Sequence, residues 1–416
     1  MIKKIITGLC LLFSLVSFAQ EGTASPYSFY GIGDVRFKGT IESRSMAGVQ
    51  VEQDSIHINL DNPASFSNLK LTTFTVGGTY NLTTLKDDSG SEKAKRTTFD
   101  YLAVGLPMGK LGVGFGLIPY SSVGYKTEEL SDVLYGTNTR KFGTGGVSKA
   151  FFAASYKIFP NLSVGANVDY NFGRIETTNF QYQNGVVYGS RELNNATLSG
   201  VNFNFGALYQ AKLSKKLNLY GSLSYKLESK LASTNTRNVS VVSYTSGFDL
   251  SSVESSDEQI DSKNMTLPSE LRIGLGIGES KKWLIGAQII NASKGDLVNT
   301  YNNVSNVSYE KGMKYSLGGY FVPNYGSFSN YFKRIVYRAG IKYEETGLIV
   351  NSESIKDRGF SLGLGLPITG TFSNVNFGFE LGKRGTTSAS LVQENYAKFS
   401  VGLSLNDRWF VKRKFD

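Results

Sequence analysis

The 416-residue chain holds one cysteine, one histidine, two tryptophans and eight prolines. The cysteine, Cys10, falls within MIKKIITGLCLLFSLVSFAQ, which reads as an export peptide. Lys3 and Lys4 give its charged start, Ile5 to Val16 its apolar run, and Ser17-Phe18-Ala19 a small-x-small cleavage site. Cleavage after residue 19 leaves a chain with no cysteine, which excludes disulfides and thiolate metal sites. A lone His57 excludes histidine clusters. No later stretch stays apolar for the ~18 residues a spanning helix needs. Membrane residence therefore requires a closed barrel.

Glycine (46), tyrosine (24) and phenylalanine (27) are abundant, yet mean hydropathy is slightly negative at −0.17. That combination fits strands with one apolar and one polar face. The expected peptide removes two of 44 basic residues and none of 34 acidic ones, so the remainder carries 42 − 34 = +8. For an exported chain this excess suits lipid headgroups or a lumen better than nucleic acid.

From residue 71 the period is two. In LSVGANVDYNF, Leu162, Val164, Ala166, Val168, Tyr170 and Phe172 share one face, and Ser163, Gly165, Asn167, Asp169 and Asn171 the other. Fourteen such segments are expected: 71–82, 98–108, 110–118, 149–159, 161–173, 196–213, 217–228, 269–279, 282–292, 312–323, 333–345, 357–368, 373–383 and 395–405. Short connections alternate with long ones, as in a barrel with short turns at one end and long loops at the other. The expected fold is an all-β, 14-stranded antiparallel transmembrane barrel over 71–416, with 1–19 as signal peptide and 20–70 as an N-terminal plug. The longest loop, 232–264, reads as Ser-rich flexible coil, with a lid or ligand-contact surface as the alternative. Trp409 and Phe410 read as an interfacial anchor ahead of Lys412, Arg413 and Lys414.

Catalytic and metal motifs find little support. Asp54 and Ser55 flank His57, but adjacency in sequence is not triad geometry, and His57 reads as structural. GFSLG puts Ser361 inside an alternating strand, not at a strand–turn–helix elbow. Glu254, Asp257, Glu258 and Asp261 lack calcium-loop spacing. GIGESKK reads as a turn, not a phosphate loop. The chain reads as a non-enzyme with no cofactor.

Several motifs resemble one family. They are SPYSFYGIGD (25–34), RSMAG (44–48), NPAS (62–65), PYSSVGY (119–125), LPSELRIGLGI (267–277) and RIVYRAGIKYEETGL (334–348). Together with residues 143–173 they are similar to the FadL-type outer-membrane transporters of hydrophobic compounds. The resemblance implies an outer-membrane location in a Gram-negative-type bacterium and a hatch carrying an Asn-Pro-Ala motif. It implies passive uptake of hydrophobic or amphipathic small molecules. PorV-like members of the family serve protein secretion, so a secretion-system or surface protein is the alternative partner. Outer-membrane lipid is a partner on either reading, and nucleic acid on neither. Hatch candidates are Tyr27, Phe29, Tyr30, Arg44, Met46, Asn62, Pro63 and Ala64. Candidate breaks in the wall for lateral exit are Gly77, Gly78, Gly112, Gly114, Gly116 and Pro119, because strand glycine and proline weaken pairing. Their other expected role is to make room for the plug. Pro63 cannot donate to a ladder, and Asn62 before it favours extended backbone, so NLDNPASFS reads as the joint between plug and barrel.

Overall fold

A computed structural model describes residues 22–35, 38–133, 136–244, 250–298 and 306–409. The export peptide, Phe410 and Lys412 to Lys414 lie outside these residues. Fourteen strands make the ring: β1 (Thr72–Lys86), β2 (Ser91–Met108), β3 (Leu111–Pro119), β4 (Thr137–Phe159), β5 (Leu162–Gln183), β6 (Tyr188–Lys212), β7 (Asn218–Lys226), β8 (Glu270–Glu279), β9 (Trp283–Ala292), β10 (Gly312–Phe321), β11 (Val336–Val350), β12 (Glu353–Pro367), β13 (Asn374–Arg384) and β14 (Gln393–Asp407). Each pairs antiparallel with the next, and β14 closes on β1 from Thr72↔Asp407 to Lys86↔Gln393. All fourteen expected segments are present.

The alternation explains the closure. In β5, Tyr170 is 50% exposed while its neighbour Asp169 is 2% exposed. Val168, Phe172, Phe203, Leu275, Leu317 and Phe399 likewise point outward, and Ser163, Asn171, Asn202 and Ser316 are buried. Apolar outside and polar inside inverts the pattern of a water-soluble protein and fits an apolar surrounding. No described helix is long and apolar enough to cross a membrane.

The long connections differ from expectation. Residues 229–260 form the strands Ser229–Tyr244 and Leu250–Ile260, which pair as a hairpin beyond the ring; Ser229–Tyr244 also pairs with the extended β6. β4 and β5 run on through 137–148 and 174–183 as well. Here one face is buried and the other exposed, but the buried face carries Ser233, Asn235 and Ser240 beside Leu231 and Val242, so no apolar period marks the strand.

The described residues of 22–71 contain little regular structure: the 3-10 helices Pro26–Phe29 and Pro63–Asn68, the short strand Asp34–Val35 and a helical turn α1 (Ile41–Arg44). They pack against inward-facing side chains from around the ring. Ile41, Ile58, Phe66 and Leu69 form one cluster with Tyr101, Ile118 and Phe151. Met46, Val49 and Val51 form another with Tyr220 and Leu284.

Candidate functional site

The Asn-Pro-Ala stretch is fixed by its own backbone chemistry. Pro63 opens the 3-10 helix, where its missing N–H costs nothing. Asn62, in extended backbone, caps it: its Oδ1 accepts from Ala64 N at 3.1 Å. The same side chain donates through Nδ2 to Ala207 O (3.1 Å), Leu223 O (3.0 Å) and Ser222 Oγ (3.0 Å), so it bridges β6 and β7. Ala64 is fully buried. Glycines let this backbone approach the wall. A Cβ on Gly165 would stand 2.7 Å from the Pro63 carbonyl, and one on Gly112 would stand 2.2 Å from that of Phe66.

The other hatch candidates hold further sectors. Arg44 reaches Asp100 on β2 at 2.7 Å, Thr79 on β1 at 3.1 Å and Ser400 on β14 at 2.9 Å. Tyr27 donates to Val392 O at 2.6 Å and packs on Leu348, Val350 and Ile355 with Tyr30 beside it. Phe29 meets the Tyr125 ring edge-on, with centroids 4.9 Å apart. The Met46 backbone lies against Gly318 and Gly340. Ser361, met in the GFSLG motif, sits in β12 and accepts from Ala47 N at 3.0 Å.

Ion pairs that no motif announced tie the segment further. Asp34 pairs with Arg384 (2.6 Å), Lys38 with Glu344 (3.2 Å) and Asp357 (3.3 Å), and Asp61 with Arg272. The only sequence signal was charge at inward-facing strand positions; the partners lie hundreds of residues apart.

One corner of the segment is acidic. Tyr320 donates to Glu52 at 2.7 Å, and Tyr220 at 3.5 Å. Burial, reinforced by the Asp54 charge, pushes the Glu52 carboxyl up to about 7. Burial also acts to raise Asp54, but the His57 charge and hydrogen bond (Nδ1 to Oδ2, 2.7 Å) outweigh it and hold Asp54 at about 2. Burial would lower His57, and Asp54 outweighs it in turn, so His57 is raised. The fold thus favours neutral Glu52, a contribution complete below 4.5 and lost as pH rises through about 7. It also favours charged His57, complete below 6.5 and lost as pH rises through the raised value. Asp54 acts oppositely, but its contribution is lost only as pH falls from 3.8 through about 2. Between pH 5 and 8 the first two contributions govern. The thermal unfolding midpoint is expected to fall across that window, and to fall less in Glu52→Gln; equal falls in both proteins would contradict this assignment.

The wall candidates fall into two groups. At Gly77-Gly78 the ladder is continuous but shifts register: Gly77 faces Tyr101, Gly78 faces Phe99, and Asp100 is the extra residue of a β-bulge. The bulge turns Asp100 and Tyr101 inward together, toward Arg44 and the Ile41 N–H. Gly112, Gly114 and Gly116 are paired on both edges, and Gly114 lies under the Phe66 ring. These glycines sit in an intact wall.

Pro119 marks a real discontinuity. β2 pairs with β3 only from Leu102↔Leu117 to Met108↔Leu111. Beyond that, among the described residues, 91–101 of β2 pair only with β1, while the chain after Pro119 stays bonded to β4 (Tyr120 N to Val147 O, 2.8 Å; Val123 N to Gly145 O, 2.8 Å). The edge that β2 would have occupied pairs with Asp34–Val35 instead, Val35 facing Ser121 and Asp34 facing Ser122. Thr23 spans the seam: its carbonyl accepts from Arg96 on β2 (3.3 Å), and its backbone crowds Gly124. Beside the seam is a cavity of about 270 Å³ lined by Tyr30, Val35, Tyr120, Lys226, Arg272 and Lys314, among others. Its lining mixes aromatic and aliphatic surface with paired charges such as Lys226–Glu270 (3.3 Å).

Such a ring is a FadL-like barrel. The toluene transporter TodX of Pseudomonas putida superposes with a TM-score of 0.62 at 15% identity, covering 90% of this chain and 100% of that one. The toluene transporter TbuX of Ralstonia pickettii gives 0.55 at 12% identity (89% and 99%), and a FadL homologue of Pseudomonas aeruginosa 0.56 at 12% (91% and 99%). At these identities the likeness is one of fold. The chain belongs to the BamG family, whose model matches residues 1–416. No curated protein matches it.

Proposed function

We propose that this chain is an outer-membrane channel for passive uptake of hydrophobic or amphipathic small molecules. On this reading residues 1–19 direct export, 20–70 are a plug gating the lumen, and 71–416 are the barrel. The short turns then face the periplasm and the extended hairpins the exterior. The discontinuity between β2 and β3 beside the cavity carries the reading. A solute in the cavity would leave sideways there once Asp34–Val35 and the Thr23 region withdraw, and so reach the bilayer without crossing water. The TodX and TbuX barrels, named as toluene transporters, share the architecture. The charged cavity lining favours amphipathic solutes over bare hydrocarbons.

A paired substitution tests this. Val35→Cys with Ser121→Cys puts thiols on facing residues of an antiparallel pair, within disulfide reach. In proteoliposomes, uptake of a fluorescent fatty-acid analogue is expected to vanish on oxidation and return on reduction. Equal uptake in both states rejects the seam as the exit.

A second reading, a partner-binding barrel of the secretion or surface-assembly type, is favoured by how firmly the segment is held, with Arg44, Asp34, Lys38 and Asp61 all in ion pairs. No uptake in either redox state, with recovery of a stoichiometric protein partner in a pull-down, selects it.

A further inference from the structure

The six short turns joining β2 to β3, β4 to β5, β6 to β7, β8 to β9, β10 to β11 and β12 to β13 carry no aspartate or glutamate. Four of them carry cations: Lys110, the Lys215-Lys216 pair, the Lys281-Lys282 pair, and Lys333 with Arg334. Only Lys282 meets a carboxylate, Glu279 at 3.0 Å on the end of β8; the others have no acidic partner among the described residues. The opposite end is mixed. Its β1–β2 turn holds Asp87 and Asp88, and the Leu250–Ile260 strand holds Glu254, Asp257 and Glu258. The net positive charge is therefore polarised toward the short-turn rim.

The same rim exposes apolar side chains at the border of the outward face. Leu213 lies in the β6–β7 turn, Phe372 in the β12–β13 turn, and Phe328 and Phe332 in the β10–β11 turn, with Phe328 fully exposed. The β10–β11 turn, the longest of the six, does not project away from the ring. Tyr331 donates to Pro367 O at 3.1 Å, Arg334 to Thr369 Oγ1 at 3.4 Å, and Tyr337 on β11 to Phe332 O at 3.3 Å. These bonds lay the turn sideways along the rim. Arg334 stacks over the Tyr331 ring at 5.2 Å and Lys281 over Tyr325 at 4.9 Å, so cations and aromatics occupy one level.

We infer that this rim is a binding surface for anionic phospholipid headgroups of the phosphatidylglycerol type. Aromatic rings sit at a membrane–water boundary with the ring in the apolar layer and the edge in water. Lys and Arg at that level attract negatively charged headgroups, each adding to the attraction. The cationic turns run from β6–β7 to β10–β11 and recur across the ring at β2–β3, so a lipid annulus reaches all of them, whereas a single acidic protein would cover one sector. The inference rests on the membrane placement proposed above and is independent of uptake.

The test uses the full-length barrel in mixed micelles holding equal amounts of phosphatidylglycerol and phosphatidylcholine with identical acyl chains. Native mass spectrometry counts what is retained. Phosphatidylglycerol is expected to be enriched at least tenfold, and raised salt to remove most of that enrichment. Combined Lys110→Gln, Lys215→Gln, Lys216→Gln, Lys281→Gln, Lys333→Gln and Arg334→Gln substitutions are expected to bring the ratio near one. Lys86→Gln, Lys93→Gln and Lys95→Gln at the opposite end should leave it unchanged. Heat-modifiable gel mobility checks that each variant is folded, and the fluorescent-analogue assay should read the same for wild type and rim variant. Equal retention of the two lipids by wild type overturns the inference. So does an unchanged ratio in the folded rim variant. One-to-one binding of a polyglutamate peptide that displaces phosphatidylglycerol also overturns it, in favour of an acidic protein partner.

Discussion

Substituting methionine for Arg44 is expected to loosen residues 22–71 from the wall at a cost of roughly 3–5 kcal/mol, the range for breaking one partner out of a buried ion pair. The side chain joins three strands at once: Asp100 on β2, Thr79 on β1 and Ser400 on β14. Methionine keeps much of the volume but takes the guanidinium away from Asp100, to which Thr79 and Thr98 still donate. Hydrogen exchange is the direct measurement. Amides of residues 38–50 should lose protection while the β-ladder of the ring keeps its own. Asn in place of Asp100 in the same protein removes the charge that Arg44 offset and should restore part of the loss, because part of the penalty is a buried carboxylate deprived of its guanidinium. A single Arg44→Met protein with wild-type exchange would show that the segment is held without this bridge.

Asn62→Asp is expected to be nearly as damaging, although it preserves shape. The carboxylate can still accept from Ala64 N and so keep the cap. It cannot donate to Ala207 O, Leu223 O or Ser222 Oγ. Two carbonyls would face a charged oxygen inside the barrel. An unmet buried acceptor costs about 1–3 kcal/mol, so a loss of roughly 2–4 kcal/mol follows. Exchange protection across residues 58–70 should drop more in Asn62→Asp than in Asn62→Ala, because alanine removes the donor without adding a charge. The reverse order would assign the cap, not the bridge to β6 and β7, the larger share. At this stretch proline opens the turn, and asparagine both caps it and bonds it to β6 and β7.

Much of the ring was legible because a membrane barrel writes its two solvents into alternate residues. LSVGANVDYNF keeps that record over its whole length, and β5 follows it. The record fails where the buried face is itself polar: Ser229–Tyr244 and Leu250–Ile260 pair with Ser233, Asn235 and Ser240 buried, yet their Ser, Thr and Asn composition reads as coil. At the candidate site, the aromatic and Asn-Pro-Ala residues of the segment were legible as a group apart from the strands. The ion pairs were not, since Asp34 and Arg384 lie 350 positions apart with nothing local linking them. The glycines were half legible. Gly112 and Gly77 stand out in strands, but only the folded chain separates close packing under Phe66 from a bulge that re-aims Asp100. Pro119 was legible as a weak point in pairing; that Asp34–Val35 takes up the vacated edge was not.

The bonds of residues 22–71 also carry information about assembly order. Ser25 reaches Glu394, Arg44 reaches Ser400 and Asp34 reaches Arg384, at separations of 369, 356 and 350 residues. None of these partners is in position until β13 and β14 have joined the sheet and met β1. Those three bonds therefore form only after the pairing of the wall has reached its last strands. Each of those long-range closures is entropically costly and slow. A stretch early in the chain thus finds these partners only once the circle is complete.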